Sequence, residues 1–406
     1  MLVPLAAMLI WGGGAGGLNA ATPRLFPDLS FRYPVGDTNA ANPLEGTEGP
    51  KVLATGDFNG DGLADVVSGN LDGSISVLLG RLDGRLSDQI LAPATNLLAN
   101  SSLRAVAVGD FNNDGRVDVA VGDIARQGVV LLLGNGGGSL EQFGRVDVGP
   151  VRALAAADLN RDGNVDLVVA CGPPDCDQCV VDNLPNPANR FLCVLLGNGD
   201  GTFQAPRYLL SPGVAACFYQ VAAADLNQDG HLDVLALDLS LRLKDVVQKR
   251  IWIFTNDGLA NFTADEPQLV LMPAGAGPRA FSVGYLDETV TNQASPPAGA
   301  TLDIVVANRD SASLDIFLNR GGLSFDPPTT LHAGDSPRGV AVGDLDGDGL
   351  ADLVVVNRNV NTISVLRGLG GGRFDLPTIE LPTGASPREV VLADFTGDGL
   401  LDAAGV

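Results

Sequence analysis

Short apolar, β-branched runs recur along this chain, separated by acidic turns that carry glycine. Gly339-Val-Ala-Val-Gly343 enters one such turn and Leu353-Val-Val-Val-Asn357 leaves it. Runs of this length and composition, bounded by turn residues, predict buried strands. A third run follows, as in Gly128-Val-Val-Leu-Leu-Leu133 and Thr362-Ile-Ser-Val-Leu366, and then a Gly-rich turn such as Gly134-Asn-Gly-Gly-Gly138, Gly197-Asn-Gly-Asp-Gly201 or Gly368-Leu-Gly-Gly-Gly372. Leu140, Phe203, Phe262, Phe325 and Phe374 then mark the start of a fourth strand. Each unit therefore reads as four antiparallel strands A to D, with the acidic turn between A and B.

The acidic turns share one grammar. Asp344-Leu-Asp-Gly-Asp-Gly-Leu-Ala-Asp352 carries carboxylates at positions 1, 3, 5 and 9 and glycine at 6. That spacing lets a tight turn bring the side chains of 1, 3 and 5 and the carbonyl of 7 onto a hard cation, and packed carboxylates repel one another without one. The predicted calcium ligands are Asp57, Asn59, Asp61, Leu63 and Asp65; Asp110, Asn112, Asp114, Arg116 and Asp118; and Asp158, Asn160, Asp162, Asn164 and Asp166. Asp225, Asn227, Asp229, His231 and Asp233 follow, then Asp344, Asp346, Asp348, Leu350 and Asp352, then Asp394, Thr396, Asp398, Leu400 and Asp402. Leu63, Arg116, Asn164, His231, Leu350 and Leu400 would contribute backbone carbonyls. An EF-hand is excluded, because position 12 is Ser68, Val121, Val169, Ala236 or Val355 rather than a bidentate Glu, and the flanks are strands.

Position 1 falls at residues 57, 110, 158, 225, 285, 344 and 394. The fifth copy is degenerate: Tyr285 replaces the first Asp, Asp287 keeps position 3, and Asp303 restores position 9 after an insertion. Pro278, Pro337 and Pro387 confirm the register. Seven such units predict an all-β, seven-bladed β-propeller of four-stranded antiparallel blades, since a ring removes exposed edges and a β-solenoid would repeat at a far shorter period. The last unit stops at Val406, after strand B. Phe31-Arg-Tyr-Pro-Val-Gly36 reads as the strand D that closes the ring from the N-terminus, while no stretch stands out as the missing strand C; the chain is a fragment or this blade is incomplete.

Composition refines this picture. The formal charge is −23, and six divalent ions would add twelve positive charges to leave −11, so much of the acidity belongs to the loops and nucleic-acid binding is disfavoured. Residues 1–21 read as a signal peptide, an apolar run ending in Leu18-Asn-Ala-Ala21, and 22–406 as the propeller. No later stretch is long and apolar enough to span a bilayer. The expected location is secreted or at the cell surface, or periplasmic. Cys171, Cys176, Cys179, Cys193 and Cys217 lie close together in sequence and predict one or two local disulfides with a thiol left over, in preference to zinc or a redox pair at Cys176-Asp-Gln-Cys179.

In such a meander the acidic loops and the C–D turns share one face, and the B–C and D–A loops the other. The longest B–C insertions, Gly172 to Arg190 and Ser240 to Lys249, place a candidate ligand site on the far face, with Arg190, Arg242, Lys244 and Lys249 as polar contacts. Six residues ahead of each position 1 stand Lys51, Arg104, Arg152, Tyr219, Arg279, Arg338 and Arg388, which would ring the channel mouth and attract an acidic glycan or a partner's carboxylate. The competing reading has these cations bonded to the strand-B ends, at Asn70, Asp123, Cys171, Asp238, Asn308 and Asn357, tying each blade together.

The Gly-Asp-Phe-Asn-Gly-Asp-Gly-x-x-Asp units and the Gly-Asn-Gly-Asp-Gly-Thr-Phe turn resemble the FG-GAP/VCBS repeats of exported bacterial proteins, which are similar to the propeller of integrin α subunits. The resemblance covers roughly residues 30 to 406 and implies a seven-bladed propeller with calcium in its A–B loops and a role in adhesion or ligand binding. The expected function is a calcium-binding module for a protein or acidic glycan, monomeric or part of a larger chain. The alternatives are a polysaccharide lyase or a structural spacer. Only two histidines occur, His231 inside an acidic loop and His332 in a D–A connection, which argues against a Ser-His-Asp enzyme.

Overall fold

The computed structural model describes residues 7–11, 30–34, 50–70, 73–83, 85–87, 90–92, 103–125, 127–172, 191–209, 216–239, 249–262, 268–271, 277–288, 299–375, 379–383 and 386–406. It is an all-β propeller of antiparallel four-stranded sheets. Near the N-terminus lie β1 (Ala7–Trp11) and β2 (Ser30–Pro34), followed by a first blade of β3 (Pro50–Gly56), β4 (Asp65–Asn70), β5 (Ile75–Leu78) and β6 (Ile90–Ala92). The next is β7 (Leu103–Gly109), β8 (Asp118–Asp123), β9 (Gly128–Gly134) and β10 (Leu140–Asp147), and then β11 (Val151–Ala157), β12 (Asp166–Cys171), β13 (Phe191–Leu195) and β14 (Arg207–Tyr208). The chain continues through β15 (Phe218–Ala224), β16 (Asp233–Asp238), β17 (Arg250–Phe254) and β18 (Gln268–Leu271) to β19 (Pro278–Gly284), β20 (Asp303–Asn308), β21 (Ser313–Phe317) and β22 (Thr329–His332). The last contiguous blade is β23 (Pro337–Gly343), β24 (Asp352–Asn357), β25 (Thr362–Leu366) and β26 (Ile379–Pro382).

Six blades are thus contiguous in sequence. One further sheet is composite, in the order β2, β1, β28 (Asp402–Gly405), β27 (Val390–Ala393). As expected, residues from Phe31 onward supply its outer strand. The missing strand C is also present, contrary to the sequence reading: Ala7–Trp11, part of the apparent leader, pairs with Ser30–Pro34 on one side and with Ala403 to Gly405 on the other. The pairing joins residues almost 400 positions apart, which no local pattern reveals.

Strand B is buried at every position in β4, β8, β12, β16, β20 and β24, because each blade is covered on both faces by its neighbours. Along β12, Leu167, Val169 and Cys171 pack toward the preceding blade, while Val168 and Ala170 pack toward the following one. Burial on both sides yields the continuous apolar runs seen in the sequence. The first strands of successive blades stand side by side around the centre, with β27 packed against both β23 and β3.

One boundary differs from expectation. Phe203, Phe262, Phe325 and Phe374 do not open strand D but form isolated bridges to Gly197, Asn256, Asn319 and Gly368, and the outer strand resumes a few residues later. Of the cysteines, Cys217 is disulfide-bonded and Cys171 and Cys193 are buried thiols, which leaves the one-bridge arrangement. Cys176 and Cys179 lie outside the described residues.

Candidate functional site

The six intact acidic loops are held by their own backbone. Position 1 accepts from the loop interior: the Asp57 carboxylate takes the N–H groups of Gly60 at 2.7 Å and Gly62 at 2.9 Å, and Asp344 those of Gly347 at 2.8 Å and Gly349 at 2.9 Å. Position 5 accepts the N–H of position 7, as Asp61 does from Leu63 at 2.9 Å. The turn needs a left-handed residue at position 6, where φ is 86° at Gly62 and 84° at Gly349, which is why glycine stands there. Asn59, Asn112, Asn160 and Asn227 each donate an amide N–H to the carboxylate at position 5.

Position 9 has a distinct role. Asp65 accepts from Phe58 N and Gly80 N, both at 2.7 Å, and Asp352 from Leu345 N at 3.0 Å and Gly368 N at 2.7 Å. Asp118, Asp166 and Asp233 repeat the pattern, and Asp402 accepts from Phe395 N. In Asp65, Asp118, Asp166, Asp233 and Asp352 both oxygens are committed to backbone donors that join the acidic loop to the C–D turn. The degenerate loop retains this staple through Asp303, which accepts from Leu286 N and Asn319 N. Burial raises these carboxyls, to about 6 in Asp65, Asp118, Asp166 and Asp233 and about 7 in Asp303 and Asp352.

Two observations fit a cation in these loops. Asp344, Asp346 and Asp348 each bring an oxygen within 4.8 Å of the others, with Asp352 outside the trio. In another loop, Oδ1 of Asp225 is buried without a hydrogen-bond partner. Three loops also hold a guanidinium: Arg116 bonds Asp114, Arg367 contacts Asp346 at 2.6 Å and Asp348 at 3.1 Å, and in the degenerate loop Arg320 contacts Asp287 at 2.5 Å. Asp394 and Asp398 retain the turn geometry, with Thr396 Oγ1 donating to Asp394 at 3.3 Å.

At the other end of the inner strands, all seven residues singled out ahead of position 1 line a single cavity of about 220 Å³: Lys51, Arg104, Arg152, Tyr219, Arg279, Arg338 and Arg388. The guanidinium carbons of Arg152 and Arg279 lie 4.7 and 5.7 Å from the Tyr219 ring centroid, and Arg338 Nη1 donates to the Tyr219 hydroxyl at 3.5 Å. Three of the strand-B ends make side-chain bonds inside their own sheets. Asn70, Asn308 and Asn357 donate to Ser76, Asp315 and Ser364 on strand C of their own blades. Glu389 also lines the cavity and accepts from Leu53 N at 2.7 Å; burial raises it to about 7. Nothing in the −6 spacing had singled out Glu389. Of the insertion residues, Lys249 lies 3.9 Å from Asp310, while Arg190, Arg242 and Lys244 lie outside the described residues.

Comparison with solved structures supports the architecture alone. A lectin of Agrocybe aegerita, described for specific recognition of non-reducing terminal N-acetylglucosamine, is 17% identical, with a TM-score of 0.53 over 99% of this chain and 95% of its own. The BP39L lectin of Burkholderia pseudomallei is 16% identical, with a TM-score of 0.56 over 90% and 89%. BBS1N, solved in complex with ARL6DN, is 10% identical, with a TM-score of 0.52 over 89% and 94%. No curated protein matches the sequence. The profile of the FG-GAP-like repeat matches residues 57–121, 110–169, 180–236, 301–355 and 344–404, the acidic-loop units whose geometry is set out above. The chain belongs to the FG-GAP-like repeat family.

Proposed function

We propose that this protein is a calcium-stabilised, seven-bladed propeller that serves as an exported or surface binding module for a protein or acidic glycan, rather than an enzyme. The composite sheet counts as the seventh blade. Calcium would be held by positions 1, 3 and 5 and the position-7 carbonyl of the six intact loops, for example by Asp344, Asp346, Asp348 and Leu350. Position 9 would hold the loop in shape and lend at most a remaining lone pair. The ion would neutralise clustered carboxylates and so act on stability. The orphaned oxygen of Asp225 supports this, while Arg367 would have to release Asp346. The disulfide at Cys217 supports an oxidising compartment.

The single observation that carries the binding role is the separation of charge along the propeller axis. Acidic loops follow the inner strands at one end, and the cation-lined cavity occupies the other. Clefts lined by one sign of charge attract ligands of the opposite sign. The fold likeness to two lectins is compatible with a glycan ligand. A glycan-array screen of the calcium-loaded protein tests the reading. Retention of acidic over neutral glycans is expected, and an array on which acidic glycans are not retained contradicts a glycan-binding role.

A further inference from the structure

The cavity's cations are placed there by a repeated backbone irregularity. In β3, β7, β11, β15, β19 and β23 the ladder to the neighbouring strand shifts register between the first and third residues. The residue passed over is Lys51, Arg104, Arg152, Tyr219, Arg279 or Arg338 in turn. A β-bulge takes a residue out of the ladder and re-aims its side chain. Six copies of this device deliver five cations and a tyrosine to one small cavity, and Arg388 joins them just ahead of β27.

Like charges held this close in a partly dry space repel strongly. Burial, then Arg388 and Arg104, pushes Lys51 down to about 8, and burial with Arg338 and Arg358 lowers Arg388. Among the described residues Glu389 is the sole carboxylate on the lining, and its burial favours the neutral form. Three of the guanidinium groups keep a donor unused within the protein. Arg338 is 7% exposed and its Nε has no partner, and the Nε atoms of Arg104 and Arg388 are buried and unpaired as well. Tyr219, set between Arg152 and Arg279 and bonded to Arg338, holds this array in place. Pre-set guanidinium forks with spare donors suit oxyanions.

We infer that the central cavity binds a tetrahedral oxyanion, sulfate or phosphate, free or as a monoester on a larger ligand, through Arg104, Arg338 and Arg388 with Lys51 adding charge. A tetrahedral dianion offers acceptors in several directions to donors converging from several blades. A planar carboxylate offers two oxygens and one charge. This deepens the binding-module reading by naming the group recognised, and it rests on that reading only for its biological use.

Calorimetric titration of the full, calcium-loaded chain tests it, with sulfate, phosphate, a sulfated monosaccharide and chloride at matched ionic strength. Saturable sulfate or phosphate binding at one site per chain is expected, well above chloride. Arg338→Gln or Arg388→Gln should weaken it about tenfold, about 1.4 kcal/mol. Glu389→Gln, which removes the competing carboxylate, should tighten it at pH 8 and leave it unchanged at pH 6, so the test survives poor folding of an arginine variant. A sulfated sugar binding more tightly than free sulfate assigns the group to a larger ligand, and equal affinity assigns the free ion. Absence of saturation, equal binding of chloride, or unchanged affinity in all three variants overturns the inference. Saturable sulfate binding beside an array without acidic hits would sink the glycan-module reading alone.

Discussion

Asp352 and Asp61 carry the same functional group in equivalent loops and should respond differently to the same change. Asp352 is fully buried and accepts two backbone N–H bonds, so Asp352→Asn sets an amide N–H₂ against a backbone donor. Such a mismatch costs about 1–3 kcal/mol. That loss should appear in urea unfolding with or without calcium. Asp61→Asn, on the exposed side of the loop, should leave the chelated protein within about 0.5 kcal/mol of the parent and reduce the stabilisation that calcium adds.

The raised position-9 carboxyls also set a pH dependence. Each sits at about 6 or 7 in the folded protein, above its ordinary value of 3.8, so the folded state holds these protons more tightly than the unfolded chain. The resulting stabilisation is complete below about pH 4 and is lost as pH rises through 6 to 7. Chelated protein should therefore melt at a higher temperature at pH 5.5 than at pH 8, by differential scanning calorimetry. With calcium bound the ionised carboxylates are favoured, and the increment from the ion should be larger at pH 8. A chelated protein that becomes more stable between pH 5.5 and 8 would contradict the assignment.

At the scale of strands and loops, most of the blade was legible because both faces of strand B are covered. That produces unbroken runs such as Leu353 to Val356, bounded by an acidic loop whose glycine spacing reports its turn. The outer strand was misplaced because Phe203 and its equivalents close the C–D turn by an isolated bridge rather than entering a ladder. The cations at the −6 positions were visible, but the bulge that aims them was not, since a register shift leaves no mark of its own in a single sequence. Least legible was β1, whose apolar residues read equally as a leader and whose partner lies at the far end of the chain. Its pairing has a direct consequence: removal of residues 1–34 exposes the edge of β28, and unpaired edges template association. The shortened chain should lose its cooperative melt or run as oligomers in size-exclusion chromatography. An unchanged monomer would show that β1 and β2 do not complete that sheet.

For the whole molecule, stability should follow the ions that neutralise its acidic face. A chain of formal charge −23 carries 19 acids in six loops, counted from positions 1, 3, 5 and 9. At about 10⁻⁴ M affinity and roughly millimolar calcium, each site adds on the order of 1.4 kcal/mol. Summed over several loops this is comparable with the net stability of a typical domain. Arg116, Arg320 and Arg367 lower the need for metal in the loops whose carboxylates they contact, so the response should come chiefly from the loops beginning at Asp57, Asp158, Asp225 and Asp394. The most direct test is the thermal melt of the full chain at pH 7.5, exhaustively chelated and then titrated with calcium. The melting temperature should fall by tens of degrees on chelation and recover saturably with calcium; a melt that is the same in EDTA and in millimolar calcium would contradict the account.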